Sequence, residues 1–192
     1  MKTLDQVLTD VLQREGWPAV TDRPADRGGL TRGGVTLDNY NAWRVSRGDA
    51  PITADQLRNL SEVDARAFLA DQFGRPFAFV GDEGVFVLLV DWAVTSGPDD
   101  PTRALQKALQ AVGHYAGAVD GAPGPATRAA WVAVHGDLTL CDEIEKSVLA
   151  QRRDFYVRLA LADPDVVAFI KAHPATQLRN LRGWLNRCDE FA

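Results

Sequence analysis

Leu4, Val7, Leu8, Val11 and Leu12 recur at the spacing of one helical face, so the chain is predicted to open on an amphipathic helix. Thr3, with Gln6 three residues later, fits a capping box at its start. The helix should stop near Glu15-Gly16, because glycine tolerates the left-handed turn that ends helices and Pro18 follows. From Trp17 to Thr36 the periodicity is lost in a stretch rich in Asp, Arg, Pro and Gly, with room for a short hairpin but no long helix. A loop of that length in a compact domain signals function or disorder.

Helical patterning then returns. Thr53 with Gln56 and Ser61 with Asp64 are further N-terminal signals, placed before apolar positions such as Leu57, Leu60 and Phe68. Glu83 to Val94 reads as a buried central helix, apolar nearly all round. Asp100-Pro101 starts a helix carrying Leu105, Leu109 and Val112, and Ala126 to Val134 forms another after a Gly-rich loop at 117–124. A long helix is expected from about Asp142 to Leu161, a further one capped by Asp163-Pro164, and a last one ending around Trp184-Leu185. No internal repeat, low-complexity segment or sustained alternating pattern occurs. The fold class is all-α, or nearly so.

Composition narrows the function classes. With 192 residues, 46% apolar and 24% charged, the chain can bury a sizeable core. A net charge of −5 argues against nucleic acid as partner, since no basic surface would offset phosphate repulsion. The longest apolar run, Val85 to Val90, is far shorter than the roughly 20 residues of a membrane span, and the N-terminus has no apolar signal core. Cys141 and Cys188 read as two reduced thiols, with a single disulfide as the alternative. His114, His135 and His173 are scattered and no paired-ligand spacing exists, so neither a metal nor an organic cofactor is expected, and a zinc amidase or a Cys-His peptidase is disfavoured.

The candidate chemistry starts at Glu15. At about 100° per residue it falls within roughly 20° of Leu4 and Leu8, which places a carboxylate on the apolar stripe at the helix's C-terminal end. Burial and the negative end of the helix dipole both favour its protonated form, as a general acid requires. The plainer alternative is a Glu turning outward at a fraying end. Asp26 follows in the loop, and two carboxylates flanking a glycosidic bond are the minimum kit for its hydrolysis. Thr31 could hold the water, and Gly28 and Gly29 would let backbone approach a sugar closely. Spacing alone also fits a turn-forming role for Asp26. Of the five tryptophans most read as core, with sugar stacking as the alternative.

Glu15-Gly16-Trp17, followed by Asp26-Arg27-Gly28-Gly29-Leu30-Thr31-Arg32-Gly33-Gly34-Val35-Thr36, resembles the signature of glycoside hydrolase family 108, the N-acetylmuramidases of phages and bacteria. That family typically shows Glu-Gly-Gly and then Asp-Pro-Gly-Gly-x-Thr-x-x-Gly-Ile-Thr, and its Glu is the catalytic acid. Further on, Asp91-Trp92-Ala93-Val94-Thr95-Ser96-Gly97 resembles its Phe-Asp-x-Ala-Val-Asn-x-Gly element. Leu105-Gln106 with Asp120-Gly121-Ala122-Pro123-Gly124-Pro125-Ala126-Thr127 resembles the Leu-Gln and Asp-Gly-x-x-Gly-Pro-x-Thr pattern of peptidoglycan-binding modules. Arg153-Asp154-Phe155-Tyr156 and Gly183-Trp184-Leu185-Asn186-Arg187 are similar to its closing elements. The chain departs from the pattern at Trp17, Arg27, Val35 and Thr95, and Gln72-Phe73 stands where a Tyr-Trp pair is usual.

The resemblance implies a lysozyme-like helical fold, with residues 1–84 as the catalytic region and 85–192 as a helical peptidoglycan-binding-like region. It implies a muramidase cutting the β-1,4 bond between N-acetylmuramic acid and N-acetylglucosamine, with Glu15 as acid and Asp26 and Thr31 at the water. Gly29, Thr36 and Asp91 are the implied sugar contacts. For Asp91 the residues themselves leave two roles open, lining the cleft or pinning the fold, and in an apolar helix it must be paired or neutral. Asp120 to Thr127 fits scaffold as well as binding, since Asp120 can close an Asx turn and Thr127 can help start a helix. The implied partner is the peptidoglycan glycan strand, reached from the cytoplasm after release by a holin, as a phage endolysin or a prophage-derived protein would be. A lytic transglycosylase on the same bond is the nearest rival, and a non-catalytic wall-binding protein is the rival of another class.

Overall fold

The computed structural model describes residues 2–22, 29–81, 83–162 and 183–191; Asp26, Gly28 and the expected cap at Asp163-Pro164 lie outside them. The architecture is mostly α-helical with one small sheet. Helix α1 (Leu4–Arg14) is followed by strands β1 (Val20–Thr21), β2 (Thr31–Arg32) and β3 (Val35–Thr36), then by helices α2 (Leu37–Ser46), α3 (Ala54–Arg58) and α4 (Glu62–Leu69). A π-helical turn (Ala70–Gly74) and a 3₁₀ turn (Arg75–Phe77) lead to α5 (Glu83–Ser96), α6 (Asp99–Ala111), α7 (Pro125–Val134) and α8 (Leu138–Ala162). Residues 183–189 form a further helix, α9, which runs on past the expected stop at Trp184-Leu185.

The helix starts follow local hydrogen bonding. Thr3 and Thr53 form full capping boxes with Gln6 and Gln56, and Ser61 caps α4 by accepting from the Asp64 amide at 3.1 Å. Helix α2 has no counterpart in the sequence reading. Only Tyr40 is buried on it, so it presents no apolar stripe to detect, and the Thr36 hydroxyl capping the Asn39 amide at 3.3 Å is its clearest signal.

The chain divides into two compact units, Met1–Phe79 with Val90–Pro98, and Val80–Leu89 with Asp99–Ala192. In the first, α1 buries Val7, Leu8, Val11 and Leu12, the stripe read from the sequence. Arg66 of α4 ties to α1 through the Asp5 carboxylate at 3.1 Å and the Thr9 hydroxyl at 3.0 Å. Tyr40, Trp43, Phe68 and Phe73 form an aromatic cluster with ring centroids 5.4–5.7 Å apart. The Trp43 indole N–H leaves this cluster to donate to Asp71 at 2.7 Å, and Arg47 and Arg75 also bind that carboxylate.

In the second unit α6 and α8 pack through Leu105, Leu109, Ile144 and Val148, all fully buried, and the Gln151 amide donates to the Ala104 carbonyl at 3.0 Å. Helix α9 lies against α8, with Trp184 stacked on Tyr156 at 5.6 Å and Arg153 paired to Asp189 at 2.8 Å. Cys141 and Cys188 are separate buried thiols.

The Trp43 hydrogen bond, reinforced by Arg75 and Arg47 and opposed by partial burial, holds the Asp71 pKa below its ordinary 3.8. A lowered folded-state pKa adds stability that is fully present above the unfolded value and lost as pH falls through the folded one. Asp71→Asn should therefore melt below wild type at pH 7, and the gap should close as pH drops below about 4. Thermal melts across pH 2–7 check this; a gap independent of pH would refute the linkage.

Candidate active site

Glu15 is placed by the way α1 ends. It is the C-cap residue, and Gly16 beyond it takes φ +72. The Gly16 amide donates to the Gln13 carbonyl at 3.1 Å and the Trp17 amide to the Leu12 carbonyl at 2.9 Å, the paired bonds of a Schellman stop. These bonds turn the chain sharply, leave Glu15 half-buried, and set Trp17 two residues on.

The loop returns over this corner as a hairpin. β2 pairs with β3 in the register Thr31↔Thr36 and Arg32↔Val35, so Gly33 and Gly34 are its two-residue turn. Their φ values of +50 and +84 are those of the type I′ turn that suits a twisted hairpin, a geometry open to glycine. Both glycines are also required by contact. A Cβ on Gly33 would overlap the Trp17 ring, and one on Gly34 would stand 2.9 Å from Glu15 Cγ. β1 pairs with β2, Val20↔Arg32 and Thr21↔Thr31, and the Gly33 amide donates to the Ala19 carbonyl at 3.1 Å. The register puts Thr21, Thr31 and Thr36 in one row on one face of the sheet, and Val20, Arg32 and Val35 on the other.

The other candidates fall as follows. The Thr31 hydroxyl donates to the Gly29 carbonyl at 3.2 Å, and Gly29 is exposed with φ +60 and open space beside it. The Thr36 hydroxyl is engaged in capping α2. Asp91, wholly buried in α5, accepts from Arg14 at 3.2 Å across 77 residues of chain. It thereby anchors the residue next to Glu15 from a neighbouring helix, and its carboxylate carries no exposed surface. Glu15, Thr31, Gly29 and Thr36 are gathered around the sheet and the end of α1. Sequence reasoning missed the parts that hold them, namely the glycine turn, Trp17 as its seat, and Arg32, whose guanidinium lies 5.0 Å over the Trp17 ring. Two glycines between Thr-Arg and Val-Thr were the available signal. Among the described residues, no cluster of His, Cys, Asp and Glu side chains could hold a metal.

In the second unit the Asp120–Thr127 loop is built on Gln106, which is fully buried. Its amide nitrogen lies 2.7 Å from the Asp120 carboxylate, 3.1 Å from the Ala122 carbonyl and 3.1 Å from the Thr127 hydroxyl, while its oxygen accepts from the Gly121 amide at 3.0 Å. Asp120 closes the Asx turn by accepting from the Ala122 amide at 2.8 Å. The Gln106 amide, then the Ala122 N–H, holds the Asp120 pKa below the usual carboxylate value. Thr127 lies inside α7, where its hydroxyl also reaches the Ala122 carbonyl at 3.3 Å, and the N-cap is Gly124.

Residues 8–97 match the family model described as Glycosyl hydrolase 108, and residues 100–189 match the one described as Predicted Peptidoglycan domain. The solved "Structure of Brucella abortus SagA" has a similar fold, with a TM-score of 0.67 at 21% identity, over 98% of this chain and 94% of that one. No curated protein matches in sequence. A helix-capped glutamate beneath a glycine hairpin, in a segment matched by a glycoside hydrolase family and followed by a peptidoglycan domain, belongs to a peptidoglycan-acting enzyme. The chain thus joins a segment similar to glycosyl hydrolase 108 to one similar to the predicted peptidoglycan domain.

Three substitutions test this construction. Gly34→Ala should lower stability by about 1–2 kcal/mol through the left-handed backbone and also displace Glu15, cutting wall digestion about tenfold. Gly48 shares φ +84 but has open space around it, so Gly48→Ala should show a similar stability loss with activity retained. Equal activity in the two variants, by urea melts and turbidity loss, would separate Gly34 from Glu15. Arg14→Met removes a charged partner of the buried Asp91 carboxylate and should destabilise the protein by about 3–5 kcal/mol, measured by the same melts.

Proposed function

We propose that the chain is an N-acetylmuramidase, cutting the β-1,4 bond between N-acetylmuramic acid and N-acetylglucosamine. The observation that carries this reading is the fixed, half-buried seat of Glu15 between the Schellman stop and Gly34. Glu15 donates its proton to the glycosidic oxygen as the bond to the muramic C1 breaks, and the N-acetylglucosamine end leaves as an alcohol. Water then adds to C1 and gives a proton to Asp26, with Thr31 holding that water. Gly29, Thr36 and Asp91 serve the sugar site, the first by leaving room for backbone contact and the other two through the elements they fix. The second unit holds the strand. Release by a holin and action as a phage endolysin belong to the same reading.

A lytic transglycosylase would use the same Glu15, but the muramic acid's own hydroxyl would close on C1 in place of water. Thr31, half-buried on the central strand of the sheet, favours the hydrolytic course.

Glu15→Gln keeps the shape and removes the transferable proton, so turbidity loss on purified walls should fall by a factor of about 10² to 10⁴ with melting unchanged. Mass analysis of the wild-type digest should find reducing muramic ends. Anhydro-muramyl ends would convert the enzyme to a transglycosylase, and released peptides alone would sink both readings.

A further inference from the structure

We infer that Arg32 is a specificity residue that binds a carboxylate carried by the glycan strand. The inference rests on the peptidoglycan reading above and extends it to the group that is recognised.

Arg32 Nε is buried without a hydrogen-bond partner, and among the described residues the guanidinium makes no ion pair. A buried donor left unmet is uncommon, since each one forfeits the hydrogen bond it would make in water. The side chain is also held. Its backbone pairs between Val20 and Val35, and its guanidinium stacks on Trp17 at 5.0 Å. The next two residues, Gly33 and Gly34, pack on Trp17 and on Glu15, so the strand that carries this positive charge runs directly into the turn over the proposed acid. A planar guanidinium with its face on an aromatic ring offers its N–H edge to a planar acceptor, and carboxylate is the acceptor that matches it in two bonds. Peptidoglycan strands differ from plain N-acetylglucosamine polymers in carrying such groups, the lactyl carboxylate of unsubstituted muramic acid and the free carboxylates of the stem peptide.

The test measures dissociation constants of labelled soluble strands for Glu15→Gln and for the double variant with Arg32→Gln. Three strands are compared: peptide-bearing, denuded with free lactyl carboxylates, and denuded with those carboxylates converted to methylamides. The parent should prefer carboxylate-bearing strands to amidated ones, and Arg32→Gln should weaken carboxylate binding about tenfold or more, bringing the ratio near one. A loss confined to peptide-bearing strands assigns the carboxylate to the stem peptide, and a loss on denuded strands assigns it to the lactyl group. Arg32→Lys should retain part of the preference. No change in the ratio, or an equal loss on amidated strands, overturns the inference. Cleavage by the wild type is scored apart. If it cuts no strand, the muramidase reading falls while the binding ratios still decide the role of Arg32.

Discussion

Two glycines press on two side chains, and the site exists because nothing larger stands there. Gly33 meets Trp17 and Gly34 meets Glu15 at distances a Cβ would close. The contact joins three local devices that would otherwise be unrelated, the Schellman end of α1, the type I′ turn and the short sheet. Each of these is marginal alone, since strands of two residues and one helix end order little chain against its conformational entropy. Locked together, they hold a carboxylate half out of water. The half-exposure suits an acid that must meet a polymer.

Buried polar groups complete what the glycines begin. Asp91 and Gln106 are both fully buried, on α5 and α6, and each works as a tie between distant parts of its own unit. Asp91 holds Arg14, and so the last turn of α1. Gln106 organises a loop with little regular structure by serving its backbone and side chains at once. Such groups are costly if left half-satisfied and rigid once satisfied, which is why they sit where the fold must be specific. In the first unit that specificity serves the proposed acid. In the second it fixes the conformation of the Asp-Gly-x-x-Gly-Pro-x-Thr loop.

Much of this was legible in the residues. Helix starts at Thr3, Thr53 and Ser61, the stop at Glu15-Gly16 and the Asx turn at Asp120 all depend on neighbours a few positions apart, and such rules are written locally. The buried α5 was legible from its unbroken apolar run. Helix α2 was not, because a helix that buries little has no periodic signature. Nor could the sequence show that Asp91 would find Arg14, or that Trp17 would be flanked by Gly33 and Arg32, because those meetings are products of the return path of the chain. The resemblance named Glu15; the surroundings that make it a site came from the fold.

The division of the chain has a consequence for how the protein comes into being. The first unit is interrupted: residues 80–89 belong to the second, and Val90–Pro98 return to the first. During synthesis α1 therefore emerges before Asp91, which follows Arg14 by 77 residues. Contacts this remote in sequence close slowly, since the loop entropy is spent before the reward is gained. The segment bearing the proposed acid is thus complete only after the chain has begun to build its second half, and a nascent chain stalled before α5 would display the glutamate without the site.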